Sequence, residues 1–365
     1  MKVMFVSHSA VLKEYQQKLV CLAENHGIDI VLVTPPYWYE SGVKTRPFKG
    51  YKQIKYETGR VVFLKKYVHF YKKALKTVKR LNPDIIHIEE EPFDIPCMQF
   101  MRAAKKTGKK TVFFTSDNFK RKHNAVRQYF DSYCLKNTDG VAAVNLDAKK
   151  LLVERGCSEE KIEIIAHGIN PEEFSFAPGI SGKKNYTLGY TGRIAPEKGL
   201  ETVIDAVSGI NNVKFIMAGA GEKDYENSLK KRAEEKGVLQ RIEFRGHINR
   251  SSIPAFMTEL DVFVLPSLTT KYWREKFGRV IIESFASKVP VIGSDSGEIP
   301  NLLKGAGMIF MEGDSAELKD KILRLTGDMR IYQNCRDKGY EKLMNNYTND
   351  KIAEKLAGLY TRIMK

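Results

Sequence analysis

The chain has 365 residues, more than one hydrophobic core usually organises, so two domains are expected. With 42% hydrophobic and 28% charged residues, no run of eighteen apolar residues and no short repeat, it reads as a folded globular protein rather than a membrane-spanning, fibrous or disordered one. The net charge of +16 is concentrated in residues 44–80, with thirteen Lys or Arg against Glu57, and in residues 102–127, with nine against Asp117. Such a face attracts nucleic acid, an anionic membrane or phosphorylated substrates, or simply maintains solubility.

In chain order, "KVMFVSH", "DIVLVTP", "DIIHIEE", "TVFFTSD", "GVAAVN" and "IEIIAHG" are short apolar runs bounded by turn or polar residues, the pattern of buried strands. The start "MKVMFVSHSA" meets charge too early for a signal peptide, and a cytoplasmic location is expected. Five cysteines (Cys21, Cys97, Cys134, Cys157, Cys335) stand singly, which suits reduced thiols rather than a disulfide framework or zinc site. Residues 167–185, "HGINPEEFSFAPGISGKKN", read as a linker. The rhythm then restarts with "YTLGYTG", "VKFIMAGAG", "IEFRGHI", "VFVLPSL", "VPVIGSD" and "GMIFM". Beyond Asp314 only helical patterns remain, ending in "DKIAEKLAGLYTRIMK".

This alternation predicts an α/β fold of two Rossmann-like, doubly wound parallel-sheet domains facing across a cleft, with a closing helix returning to the first. The expected domains are residues 1–168, residues 169–345 and, as the returning helix, residues 346–365. Ligands of open α/β sheets bind outside the carboxyl ends of the strands, so residues there are the candidates.

"GYTGRIAPEKGL", residues 189–200, runs from strand through a Gly-rich turn into a helix. Gly192 permits the turn, and Arg193 and Lys198 bring two cations to a helix start, a cradle for a diphosphate. The plainer reading is a helix entry with two exposed bases. In "REKFGRVIIESFASKVPVIGSDSGEIP", residues 274–300, Glu275 precedes and Glu283 lies inside an expected helix starting near Gly278. Glu283 falls about 7.5 Å along that helix. The loop from Glu275 adds up to about 10 Å. The pair thus spans a diphosphate with a hydroxylated ring at each end, although a glutamate near a helix start also merely complements the dipole.

Together, "GRIAPEKGL" and "EKFGRVIIESFASKVPVIGSD" resemble the G-R-x4-K-G loop and E-x7-E signature of the retaining glycosyltransferases of family 4, of the GT-B class. The resemblance implies that Arg193 and Lys198 hold the donor diphosphate, Glu275 contacts the transferred sugar and Glu283 the ribose. Gly192, Phe277, Gly278 and Arg279 join them as donor-binding residues, with Arg193, Lys198 and Glu275 the catalytic set. It implies transfer of a hexose from a UDP- or GDP-sugar to a hydroxyl of a glycan or lipid-linked acceptor with retention, and no cofactor beyond the donor. No D-x-D pattern or metal-ligand spacing of histidines occurs, so no bound metal is expected.

The first half departs from the family. "SHSAVLKEY" lacks its Gly-rich loop, and Asp117 and Asn118 stand where many members carry a histidine. Candidates on the acceptor side are His8, Ser9, Glu89, Glu90, Asp117 and Asn118, each at a strand end, with a solvated acidic loop or structural histidine as the plain alternative. Trp273 either shapes the sugar pocket or packs. Tyr67, Phe70 and Tyr71, among lysines, suggest peripheral docking on an anionic membrane face. Two other classes compete: Gly219 and Gly221 form a G-x-G after a strand, as in NAD-dependent oxidoreductases, but Asp224 occupies the third glycine position; nucleic-acid binding rests on charge alone and is not expected.

Overall fold

The computed structural model describes residues 1–40 and 43–365. The chain divides into two compact units, one of Met1–Ile169 with Asn349–Lys365, the other of Asn170–Thr348.

The first unit is built on a seven-stranded, wholly parallel sheet. Its spatial order is Ile162–Ile164, Gly140–Ala143, Lys110–Thr115, Ile85–Glu89, Lys2–Ser7, Asp29–Thr34 and Ile54–Thr58. The central strands are buried along nearly their whole length, which is why their sequences are continuous apolar runs rather than alternating ones. Ser7 pairs with Glu89, so these two strands end together and release His8–Ser9 and Glu90–Glu91 at the same edge.

Helix Lys13–His26 returns the chain, closed by Gly27 in the left-handed conformation. The last helix, Asn349–Met364, belongs to this unit. Its Tyr360 hydroxyl lies 2.8 Å from Nδ1 of His87, whose ring stacks on Phe5.

The basic stretch that follows the second strand forms two antiparallel pairs, Trp38–Glu40 with Val43–Thr45 and Val61–Lys65 with Val68–Tyr71, then helix Ala74–Leu81. Lys65, Lys66 and the neighbouring Leu64 and Tyr67 are exposed. Tyr71, however, is buried and meets Phe100 edge-on at 5.0 Å, so its expected membrane contact is corrected to a core role. Phe70 is half-buried, paired with Val62.

The second unit has a six-stranded parallel sheet in the order Ile242–Gly246, Val213–Ala218, Tyr186–Thr191, Val262–Leu265, Val291–Ser294 and Met308–Phe310. Leu188, Phe215, Phe263, Phe285 and Phe310 fill its core. Helices Ser315–Gly327 and Met329–Asn346 complete it. Both units are Rossmann-like, parallel sheets with the strand order of a doubly wound α/β domain. The five cysteines are unbridged, and no described helix is long and apolar enough to cross a membrane.

Candidate active site

Four loops at the carboxyl ends of the second sheet are stitched to one another. After Tyr186–Thr191 the chain turns at Gly192, whose N–H donates to the Ala218 carbonyl at 3.1 Å; the Ile194 N–H donates to Ala220 at 3.0 Å. This apposition needs glycine opposite: a Cβ on Gly219 would stand 1.9 Å from the Gly192 oxygen, and one on Gly221 1.9 Å from the Ile194 oxygen. The G-x-G pair is thereby accounted for as a seat for the Gly192–Ile194 loop, and hydride-transfer chemistry has no support from it.

The Leu268 N–H donates to the Glu197 carbonyl at 2.8 Å, and the Glu298 N–H to the Glu275 carbonyl at 3.1 Å. Residues 192–199, 219–222, 266–278 and 295–298 are therefore held as one surface.

On this surface the Lys198 ammonium lies 2.7 Å from Oε2 of Glu275, and the Ser267 hydroxyl donates to the same oxygen at 2.8 Å. The ammonium also sits over the Trp273 ring, 4.3 Å from its centroid. Both charged side chains are largely buried, at 14% and 11% exposure, so this is an ion pair in a reduced dielectric rather than a surface contact. The Tyr190 hydroxyl donates to the Arg193 carbonyl at 2.7 Å, and burial with the nearby Glu275 charge pushes its pKa well up, keeping it a neutral donor.

Arg193 itself is 60% exposed and pairs with Glu197, so the loop directs this guanidinium outward while Lys198 turns in. Lys198 lies in a 3-10 turn, Pro196–Lys198, one residue before the Gly199 cap of helix Leu200–Ser208.

Helix Arg279–Ala286 begins after Gly278, which caps it at φ 75° in the left-handed region. Glu283 is buried within it. Its Oε1 lies 3.1 Å from Nε of Arg279, one turn earlier, and 3.7 Å from Arg250 on the loop that follows strand Ile242–Gly246. Phe277 is buried and meets Tyr347 edge-on at 5.8 Å, a packing contact beneath the loop. The structure thus unites Lys198 with Glu275 and sets Glu283 in a separate arginine cluster.

On the first unit, the six acceptor-side candidates fall into three groups. Nδ1 of His8 lies 2.8 Å from Oε2 of Glu90. Burial works to lower the His8 pKa, but the charge and hydrogen bond of Glu90 raise it overall. The Ser7 hydroxyl donates to Glu89 at 2.9 Å and lies 3.0 Å from the Ser9 hydroxyl, and Lys18 neutralises Glu89. Asp117 lies between Arg155 at 3.5 Å and Arg121 at 3.6 Å, in a structural ion cluster with Asp131. Asn118 is buried beside it in sequence. Among the described residues no three His, Cys, Asp or Glu side chains gather as a metal site.

Sequence reasoning missed Ser267, Arg250, Trp38 and His69. None sits in a motif; each is brought in by topology, the first from the end of strand Val262–Leu265 and the last two from the antiparallel pairs.

Two family profiles match, glycosyltransferase family 4 over residues 18–173 and glycosyl transferases group 1 over residues 171–342. The chain belongs to this group 1/family 4 glycosyltransferase family. It is 29% identical to an uncharacterised glycosyltransferase of Methanocaldococcus jannaschii over 60% of each chain. It is 27% identical to the capsular polysaccharide biosynthesis glycosyltransferase CapM of Staphylococcus aureus over 65% of this chain and 67% of that one. The chain thus spans well under the full length of these curated relatives. In fold it is similar to the crystal structure of Anabaena HepE in complex with UDP, with a TM-score of 0.77 at 17% identity, covering 99% of this chain and 100% of that one.

Proposed function

We propose that the protein is a glycosyltransferase that moves a hexose from a UDP- or GDP-linked donor to a hydroxyl of a glycan or lipid-linked acceptor, with retention and without a bound metal. The observation that carries this reading is the buried Lys198–Glu275 pair on the loops that bear the family signatures. An ammonium has three N–H donors, and Glu275 engages one. The others are available to the oxygens of a departing diphosphate, and in this reading the Glu275 carboxylate accepts from a hydroxyl of the transferred sugar.

Arg193, exposed on a loop that Gly192 turns tightly, adds the second cation by swinging from Glu197. Glu283, held by Arg279 and Arg250, accepts from the ribose hydroxyls in this reading. Catalysis is then electrostatic: fixed positive groups meet the charge that grows on the leaving phosphate, and no protein nucleophile is required. The acceptor side comes from the first unit, where His8 and Glu90 are hydrogen-bonded to each other. Exposed Leu64 and Tyr67 beside Lys65 and Lys66 support docking at an anionic membrane face, as a lipid-linked acceptor requires.

The test is a thermal-shift screen with UDP-, GDP-, ADP- and TDP-sugars, followed by transfer assays with the stabilising donor. Stabilisation by a nucleotide sugar that Lys198→Ala abolishes supports the reading. No response to any of the four classes would refute it.

A further inference from the structure

We propose that a concavity in the first unit, floored by His69 and Glu90 and walled by Trp38, binds a sugar ring bearing a free amino group, whose ammonium bridges His69 Nε2 and Glu90 Oε1. The inference rests on the transferase reading only in calling the occupant the acceptor.

The concavity has a volume of about 600 Å³, within the size range of small-molecule sites, and Tyr67, Phe93 and Phe130 extend its aromatic wall. Its floor is unusual. The side chains of His69 and Glu90 are both 3% exposed, and Nε2 and Oε1 are 3.7 Å apart, too far for a hydrogen bond. Neither atom has a hydrogen-bond partner.

The chemistry of the two atoms follows from what their other ends do. The second oxygen of Glu90 is engaged by His8. The His69 ring donates to the Tyr67 carbonyl, and because Nε2 is the unpartnered nitrogen, the donor is Nδ1. Burial holds the His69 pKa below its ordinary value, so the ring is neutral and Nε2 presents a lone pair. Two acceptors therefore stand 3.7 Å apart with no hydrogen donated to either, and an ammonium that reaches them supplies both.

A hydroxyl has one hydrogen and satisfies one of them; an ammonium has three and satisfies both. Charges of both signs line the concavity: Asp94, whose carboxyl is pushed up to about 6 by burial and by the charge of Glu90, lies 3.3 Å from Arg127. Trp38 adds an aromatic face, and its other contacts, His8 at 4.3 Å and His69 at 5.0 Å, fix its orientation.

The experiment is saturation-transfer NMR on the full chain with methyl 2-amino-, 3-amino- and 6-amino-hexosides, each beside its N-acetyl and hydroxyl counterparts. We expect at least one amine to bind tenfold or more tightly than both counterparts, and Glu90→Gln to erase that preference. Val126→Trp, at an exposed residue on the mouth of the concavity, should weaken binding of that amine without touching the floor. Equal binding of amines and counterparts, a preference that survives Glu90→Gln, or no binding of any sugar, the mark of a floor that holds only water, overturns the proposal. UDP and GDP titrations of the same samples report the nucleotide end separately, so failure of the transferase reading is distinguishable from failure of this one.

Discussion

The ammonium of Lys198 and the carboxylate of Glu275 are 77 positions apart in sequence and 2.7 Å apart in space, both largely withdrawn from water. Removing one charge of such a pair leaves the other buried and uncompensated, which costs more than removing both. We expect Lys198→Ala to lower turnover at least a hundredfold, about 2.7 kcal/mol of barrier or more. We further expect its melting temperature to rise again when Glu275→Gln is added. A double variant that melts below the single one would show that the two side chains are not coupled.

Glu283 presents a different kind of change. It is bound to Arg279 and Arg250 rather than to the lysine, and in the proposed role it grips a part of the donor remote from the reacting bond. Glu283→Gln is therefore expected to raise the KM for the nucleotide sugar roughly tenfold or more with a smaller change in kcat. The reverse split, a collapse of kcat at unchanged KM, would place Glu283 at the transferred sugar.

Gly219→Ala sets a methyl group 1.9 Å from the Gly192 carbonyl oxygen, a backbone atom that cannot step aside without moving the Arg193 loop. The expected loss of stability is about 1–3 kcal/mol, accompanied by weaker nucleotide-sugar binding. Calorimetry on the variant, with NAD as a negative control, checks both. Unchanged melting and binding would contradict the loop apposition.

Asp94 gives a pH signature. Its folded pKa of about 6 lies above the ordinary 3.8, so the folded chain binds that proton more readily than the unfolded one and loses stability as pH rises between the two values. Asp94→Asn lacks that loss. The variant should match the wild type below pH 3.8, diverge through the interval and remain the more stable above about pH 6, as read from denaturation midpoints across pH. A constant offset over the range would argue against the shift.

Membrane docking is tested by reversing charge where it is exposed. Lys65→Glu with Lys66→Glu is expected to abolish sedimentation with anionic liposomes while leaving nucleotide binding intact, since Lys65 ends a strand of the first unit's antiparallel pair and Lys66 lies in the turn that follows. Sedimentation that is the same for neutral and anionic vesicles would remove the membrane from the account.

Much of the fold is legible because parallel strands buried on both faces must be written as apolar runs. "KVMFVS", "IIHIE" and "VFVL" announce themselves in this way. Strand Ile54–Thr58 does not: it lies at the sheet edge, exposes Lys55 and Thr58, and is camouflaged by the basic run around it.

The loop and signature proposed to hold the donor were legible because each is local in sequence. Their pairing was not, since Lys198 meets Glu275 through strand order. On the acceptor side three consecutive acids are alike in sequence and unlike in space. Glu89 is neutralised by Lys18, Glu90 is held by His8, and Glu91 is tied to Ser116. Their separate fates depend on neighbours drawn from across the sheet, and His69 arrives from a strand that no periodicity marked.

The Asn349 N–H donates to the Ile169 carbonyl at 2.9 Å, and Gly168 packs so closely that a Cβ there would come within 2.8 Å of the Asn349 side chain. The chain accordingly leaves the first unit and re-enters it at a single doorway, and everything from Asn170 to Thr348 is, topologically, one long excursion from it. A protease cut at the doorway severs one tether and leaves the other intact. A graft that rejoins Ile169 to Asn349 through a few residues would close the first unit without lengthening any path in it.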